Sequence, residues 1–165
     1  MLSLKSTFCP GFYAGLLLAV GLGLYLLQLW DAGNQVRLHS THLLTALEKN
    51  KWSDVTDFLD PSYSDQWGHD RATVLARLQQ VLPYARNLRL RAQEVVVSAA
   101  SGEGKWIAHI TLEADPNEVS TFLQERVNTL GEPFALQWRR VSWKPWDWKL
   151  VRVTNPALEI PDRLF

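Results

Sequence analysis

The first strong pattern in the chain is an uninterrupted apolar run from Phe12 to Trp30, with the sequence FYAGLLLAVGLGLYLLQLW. Its nineteen residues carry no charge, and Gln28 is the one polar member. As an α-helix the run is about 28 Å long, close to the ~30 Å hydrocarbon thickness of a bilayer. The pattern therefore predicts a transmembrane helix over about 12–30, within an N-terminal segment 1–33.

A cleaved signal peptide is the alternative interpretation of this run. The apolar region of a signal peptide covers ~7–15 residues and ends in a small-x-small cleavage site. This run is longer and ends in Leu29-Trp30-Asp31, so we expect the helix to be retained as an anchor. Because Lys5 lies before the helix, the positive-inside bias favours a cytoplasmic N-terminus. The following domain is then expected on the exported, periplasmic or extracytoplasmic side.

Small residues recur every fourth position along this helix, at Gly11, Gly15, Ala19 and Gly23. Small side chains at that spacing allow two helices to approach closely in lipid, where packing drives association. The alternative is that glycine and alanine are simply common in membrane helices. We interpret the four residues as a packing face for an integral membrane protein or for a second copy of this chain.

After Trp30 the apolar positions follow helical spacing. An amphipathic helix is predicted over 35–49, and a second, short helix is predicted to begin at a Ser53 cap and to end at Asp60-Pro61. Asp70 is predicted to cap a third helix that stops at Pro83. Their apolar faces include Val36, Leu43, Leu44, Leu47, Val55, Phe58, Leu59, Val74, Leu75 and Leu78.

From Leu88 onward the pattern changes to strands. The segments 88–99 and 105–112 are rich in β-branched and aromatic residues and flank Ser-Gly-Glu-Gly, which predicts a hairpin. In the second segment every other residue is expected to face the core, namely Trp106, Ala108, Ile110 and Leu112. Asp115 is predicted to cap an extra helix near 116–130, with Pro116 as its first residue. A last pair of strands is predicted over 134–143 and 146–154. The fold class is therefore α+β: an N-terminal transmembrane helix, then about three helices packed on a curved antiparallel sheet.

Length and composition narrow the function classes. The 165 residues leave room for one domain, expected over 34–156 with a tail at 157–165. The formal net charge of +0 argues against a nucleic-acid partner. Cys9, before the predicted membrane helix, is the one cysteine, so the domain can hold neither a disulfide nor a thiolate metal site. No cofactor is expected.

Two stretches carry a resemblance to a known superfamily. They read WSDVTDFLDPSYSDQWGHDRATVLARLQQVL and WDWKLVRVTNP. Together they resemble the nuclear transport factor 2-like (cystatin-like, SnoaL-like) superfamily over roughly 35–154. The resemblance implies a cone-shaped domain with a pocket. The superfamily includes isomerases, dehydratases and cyclases, as well as members that only bind or assemble, so the fold alone does not determine the function.

Candidate catalytic residues come from residue type alone. Tyr63, Asp65 and His69 lie in the loop before the third helix, and His109 lies in the hairpin. A histidine beside a carboxylate can serve as a general base, although a solvated loop and a surface histidine explain the same residues. No catalytic position of an enzyme of the superfamily matches this chain.

Histidines and basic residues are further candidate binding groups. His39 and His42 could share a helix face, but they lack a third ligand at recognisable spacing, so no metal site is expected. Basic residues recur in the sheet segments, where anionic headgroups, an acidic partner or simple solvation would explain them. They are Arg86, Arg89, Arg91, Arg139, Arg140, Lys144, Lys149 and Arg152.

Four tryptophans crowd one stretch, at 138, 143, 146 and 148. We expect Trp148 in the core, and Trp143 and Trp146 as partly exposed interaction residues around Lys144-Pro145. The leading hypothesis is a non-catalytic, membrane-anchored interaction or assembly module, accessory to a membrane protein complex. Its layout is similar to that of periplasm-facing assembly factors of type IV secretion systems. The alternative is a membrane-tethered enzyme or carrier for a small apolar ligand in the cone.

Overall fold

The computed structural model describes residues 8–159, without the side chains of 8–10 and 27–29. The described helices are α1 (Phe8–Trp30), α2 (Ala32–Glu48), α3 (Trp52–Phe58), α4 (Arg71–Val81) and α5 (Glu118–Asn128), with a 3-10 turn at Leu82–Tyr84. The strands are β1 (Arg89–Ala100), β2 (Glu103–Glu113), β3 (Phe134–Arg140) and β4 (Trp148–Thr154). This is the predicted α+β class. The predicted domain limits, 34–156, stay a prediction, and residues 160–165 of the predicted tail lie outside the described residues.

Helix α1 occupies the predicted apolar run, but the transmembrane prediction is not confirmed. Among the described residues, no helix is both long and apolar enough to cross a membrane. Residues 27–29 of the predicted span lie outside the described side chains.

Asp31 separates α1 from α2. Its backbone is extended, and its carboxylate accepts hydrogen bonds from the N–H groups of Gly33 and Asn34. These N–H groups belong to the first turn of a helix and have no partner within it, so the carboxylate stabilises the start of α2. The helix then buries the predicted apolar positions Val36, Leu43 and Leu44.

All neighbouring strands of the sheet are antiparallel, in the order β1-β2-β3-β4. The predicted core face of β2 is confirmed, because Trp106, Ala108 and Leu112 are buried. Ser101 and Gly102, both with positive φ, form the turn between β1 and β2. A bulge interrupts the pairing of β1 with β2 near Glu94, whose φ is also positive.

Tryptophan side chains fill much of the space between sheet and helices. Trp106, Trp138 and Trp148 are each almost completely buried, and they share one core cluster with Val36 of α2. A Cβ atom on Gly104 would overlap Cγ2 of Val36 and lie 3.3 Å from the Trp148 ring. Because no side chain fits there, α2 packs directly on the backbone of β2 at this glycine.

Two predicted helix starts are wrong. Ser53 lies inside α3, and the N-cap residue Lys51 makes no side-chain hydrogen bond. Helix α5 is capped by Asn117 rather than by Asp115. The Asn117 side chain accepts from the Ser120 N–H, and the Ser120 hydroxyl accepts from the Asn117 N–H. The Asp115 carboxylate instead accepts from the Asn87 side chain, so it is committed to a different contact.

The last two strands are shorter than predicted. Strand β3 ends at Arg140 and β4 begins at Trp148, so Trp143 and Trp146 lie in the loop between them, over 141–147. The loop is closed by a hydrogen bond of 2.9 Å from the Val141 N–H to the Asp147 carbonyl. The indole N–H of Trp148 donates to the Pro145 carbonyl. Pro145 is therefore held against the core while its neighbours project outward.

The segment before α4 covers the outer edge of β4. The N–H groups of Asp60, Ser64 and Gln66 donate to the carbonyls of β4 residues 150, 151 and 153. Asp60 is buried and pairs with Arg139 at 3.1 Å. Burial raises the pKa of Asp60, but hydrogen bonds from Ser62 and the Arg139 charge outweigh it and hold that pKa below its usual range.

We predict that the Trp148→Ala substitution lowers the free energy of unfolding by about 3–5 kcal/mol, because it removes a buried ring and its hydrogen bond. Trp146→Ala is the matched control, since this ring is 53% exposed, and it should leave stability near that of the parent. Denaturant unfolding of the full chain in detergent measures both. A Trp146→Ala loss as large as that of Trp148→Ala would show that the loop belongs to the core.

Candidate functional site

The structure brings Asp65 and His69 together. The Asp65 carboxylate is buried, and one oxygen lies 2.9 Å from His69 Nδ1. Its other oxygen accepts hydrogen bonds from the N–H groups of Trp67 and His69. The loop is also closed by a backbone hydrogen bond from Asp65 to the His69 carbonyl. The carboxylate therefore orients the imidazole and at the same time closes the loop.

Tyr63 lies next to this pair in the chain and is buried in the main core cluster. Burial, with a smaller contribution from the Asp65 charge, raises the pKa of the Tyr63 phenol. The phenol is therefore neutral at physiological pH, and it could act as a proton donor but not as a base. Tyr63, Asp65 and His69 thus lie in one loop, where Asp65 and His69 form the hydrogen-bonded pair; their catalytic role stays a prediction.

His109 does not join this cluster. It lies on β2, with its Nε2 atom 3.5 Å from the Glu94 carboxylate on β1. Its side chain alternates with the buried Ala108 and therefore lies on the outer face of the sheet. The Glu94 side chain is 80% exposed, so this is a surface contact of small energetic weight.

The small-residue positions of α1 are available for packing. Added Cβ atoms on Gly11, Gly15 and Gly23 meet nothing within 4 Å, and Ala19 is exposed. The apolar side chains around them are exposed as well; Leu17, for example, is 73% exposed. Within the described chain, α1 leaves these surfaces uncovered.

Trp143 and Trp146 project from the 141–147 loop. The Trp143 side chain is 77% exposed, and Val141 beside it is also exposed. Large exposed aromatic rings are unusual in a domain that buries three other tryptophans, and such rings favour interfaces. Lys144 and Arg140, both exposed, add positive charge to the same loop.

A histidine that the sequence did not single out for this role supports the loop from within. His39 of α2 contacts the rings of Phe58 and Trp138 edge to face, with centroids 5.9 and 5.7 Å away. Its Nδ1 atom lies 2.8 Å from the Gln35 carbonyl. His39 therefore connects α2 to α3 and to β3, the strand that leads into the tryptophan loop. These residues are far apart in the chain, so the sequence carries no local signal of their contact.

Electrostatics around His39 favour its neutral form. Burial is the main cause that lowers its pKa, and the nearby charges of His42 and Lys149 act in the same direction. The carbonyls of Gln35 and Trp146 oppose this effect only in part. Protonation at acidic pH therefore places a charge between two aromatic rings.

The helical side of the domain carries a further concavity. An open groove of about 410 Å³ is lined by His42, Thr45, Ala46, Asp54, Asp57 and Phe58. Its charged and histidine side chains, His42, Asp54 and Asp57, lie at exposed positions. Among the described residues, no group of three or more histidine, cysteine, aspartate or glutamate side chains could hold a metal ion. Nothing in the groove converges on a ligand.

Comparison with known proteins identifies the fold. No protein-family model matches the chain, and no curated protein matches it. An NTF2-like protein with a cystatin-like fold from Novosphingobium aromaticivorans is a structural match with a TM-score of 0.56 and 13% identity, covering 87% of this chain and 90% of that one. A candidate dehydratase of the NTF2-like family from Streptomyces avermitilis matches with a TM-score of 0.56 and 16% identity. That match covers 78% of this chain and 96% of the dehydratase.

The Bdellovibrio bacteriovorus protein Bd1075 gives a TM-score of 0.58 at 7% identity, and the match covers 76% of this chain. This chain spans only 40% of the length of Bd1075. Sequence identities this low establish the fold and not the activity. The chain has the NTF2-like, cystatin-like fold.

We predict that His39 makes stability depend on pH. The pKa of His39 is lowered in the folded state, so below about pH 6.5 the unfolded chain binds more protons than the folded chain. The free energy of unfolding therefore decreases as the pH is lowered. His39→Leu removes this titration and keeps an apolar side chain. The free energy of unfolding of the variant minus that of the parent should therefore increase as the pH is lowered from 7 to 5. A difference that does not change with pH would contradict the prediction.

Proposed function

We propose that this chain is a non-catalytic, membrane-anchored interaction module that serves as an accessory subunit of a membrane protein complex. The observation that carries the proposal is the surface of α1. Its described side chains are almost all apolar and exposed, among them Phe12, Leu16, Leu17, Leu18, Leu22, Leu24, Leu26 and Trp30. A continuous apolar surface of this kind is not stable in water and requires lipid or a partner.

The length of the helix supports lipid as the main environment. Helix α1 has 23 residues, about 35 Å at 1.5 Å per residue, which is enough for the ~30 Å hydrocarbon core. Its sequence from 12 to 30 contains no charge. We therefore propose a single membrane pass that ends near Trp30, with a cytoplasmic N-terminus and the folded domain on the exported side.

The packing of the domain supports binding rather than catalysis. Trp106, Trp138 and Trp148 occupy the space between sheet and helices, and Val36 packs directly against the backbone of Gly104. These contacts fill the interior between α2, β2 and β4. A module whose interior is filled in this way works through its outer surfaces.

We assign the contact with an integral membrane partner, or with a second copy, to the small-residue face of α1. Glycines at this spacing let a second helix approach closely, so that backbones and side chains pack over a large area. The face is free within the described chain, because Cβ atoms added at Gly11, Gly15 and Gly23 meet no neighbour.

We predict that Gly15→Ile weakens association in the membrane roughly five-fold, about 1 kcal/mol, because a branched side chain prevents close approach. Gly21→Ile is the matched control, since Gly21 also has open space around it but lies about 200° away from Ala19 around the helix. Copurification and crosslinking of the full chain from mild detergent measure the effect. If Gly15→Ile and Gly21→Ile reduce copurification and crosslinking equally, the proposed packing face is wrong.

The Asp65–His69 pair carries a second candidate function. A buried carboxylate 2.9 Å from an imidazole, beside a buried tyrosine, is the arrangement of a general base with an orienting partner. Under this alternative the chain is a membrane-tethered enzyme or carrier for a small apolar ligand. The similarity to the candidate dehydratase from Streptomyces avermitilis agrees with that alternative at the level of fold.

The two functions differ in what His69 does. If the pair is catalytic, a small apolar carbonyl compound from a screened panel should shift the His69 ring resonances in NMR spectra. His69→Gln should abolish its binding while thermal stability stays near that of the parent. If the pair only closes the loop, no compound shifts those resonances, and Asp65→Ala lowers stability by about 1.5–3 kcal/mol, as expected for a charged acceptor of buried hydrogen bonds.

A further inference from the structure

The direction of α2 across the sheet defines which end of the domain faces α1. Near its start, α2 packs Val36 on Gly104, which pairs with Ala99 beside the β1–β2 turn. At its end, the Glu48 carboxylate accepts from the N–H of Leu90 at the beginning of β1. The β1–β2 turn therefore lies at the end of the domain where α1 joins it, and the start of β1 lies at the opposite end.

The tryptophan loop, 141–147, lies at that same end. The N–H of Arg140, the last residue of β3, donates to the Gly102 carbonyl in the β1–β2 turn. His39 of α2 also contacts the ring of Trp138, two residues before Arg140, with ring centroids 5.7 Å apart. His39 is eight residues after Asp31, about 12 Å along the helix axis, in the first half of the ~25 Å that the 17 residues of α2 span.

The chemistry of this end is that of a bilayer interface. Trp143 and Trp146 expose large rings with one polar N–H each, and Val141 adds apolar surface between them and the sheet. Tryptophan concentrates at the headgroup level of membranes because its ring is apolar and its N–H can still bond to polar groups. The exposed cations Arg140 and Lys144 can bind lipid phosphates.

We propose that the 141–147 loop inserts Trp143 and Trp146 into the headgroup region of the same bilayer that holds α1. This inference rests on the proposed membrane anchoring. Continuity with α1 favours lipid as the occupant, since Trp30 ends the apolar helix and the loop lies at the end of the domain next to it. The domain is then held by two contacts, the helix and the loop, which limit its tilt relative to the membrane.

The experiment measures quenching of tryptophan fluorescence in the full chain, reconstituted into vesicles of phosphatidylcholine and phosphatidylglycerol. Lipids brominated near the carbonyl end of the acyl chains quench only shallow rings. In a Trp30→Phe background, the remaining lipid-accessible emission should come from the loop. Adding Trp143→Phe and Trp146→Phe should then lower the quenched signal roughly threefold. Adding Trp67→Phe instead, at the far end of β4, should leave it unchanged.

The proposed anchoring is tested separately, by the quenching of Trp30 fluorescence in a chain that carries Trp143→Phe and Trp146→Phe. If Trp30 is not quenched, the proposed anchoring fails. If Trp30 is quenched but the loop substitutions change nothing in the Trp30→Phe background, anchoring stands and the loop insertion is wrong. The inference would also be overturned if brominated lipid did not quench the emission of the loop tryptophans but the wavelength of that emission changed with the protein-to-lipid ratio. That result would indicate contact with a second copy. The single Trp143→Phe change, at the most exposed ring, repeats the test should the double change unfold the domain.

Discussion

The structure depends on the close approach of α2 to β2 at Gly104. Any side chain at this position would overlap Val36, and the Trp148 ring lies against the same point. Because the helix can reach the backbone here, it lies along the β1–β2 hairpin with its start at the turn. That orientation sets the end of the domain at which α1 joins it, and the 141–147 loop lies at that end.

The buried tryptophans follow from the same contact. Trp106, Trp138 and Trp148 pack around Val36 and share one core cluster, and the indole of Trp148 holds Pro145 through a hydrogen bond of 2.7 Å. Pro145 in turn leaves Trp143 and Trp146 outside the core. Buried rings therefore hold the loop on its core side, while the rings of Trp143 and Trp146 stay exposed to solvent. Exposed rings on a rigid loop are expected of a binding surface rather than of a ligand pocket.

Strong local patterns were enough to predict most elements of the fold. The apolar spacing of Val36, Leu43 and Leu44 predicted α2, and alternation predicted the core face of β2. At α5 the sequence predicted Asp115 as the cap, but Asn117 and Ser120 cap the helix through reciprocal hydrogen bonds, while Asp115 accepts from the distant Asn87. The ring cluster of His39, Phe58 and Trp138 depends on how distant elements meet, which no local pattern encodes. Of the candidate site, the sequence located the Asp65–His69 loop but not its closure by a buried carboxylate.

The central claim is that α1 crosses the bilayer and displays the domain on the exported side. Its most direct test is protease added to sealed, right-side-out vesicles that contain the full chain with an epitope after Phe165. The account predicts that the epitope is removed while an N-terminal fragment stays with the membrane after alkaline extraction. Protection of the epitope in sealed vesicles, or release of the whole chain by alkali, would contradict it.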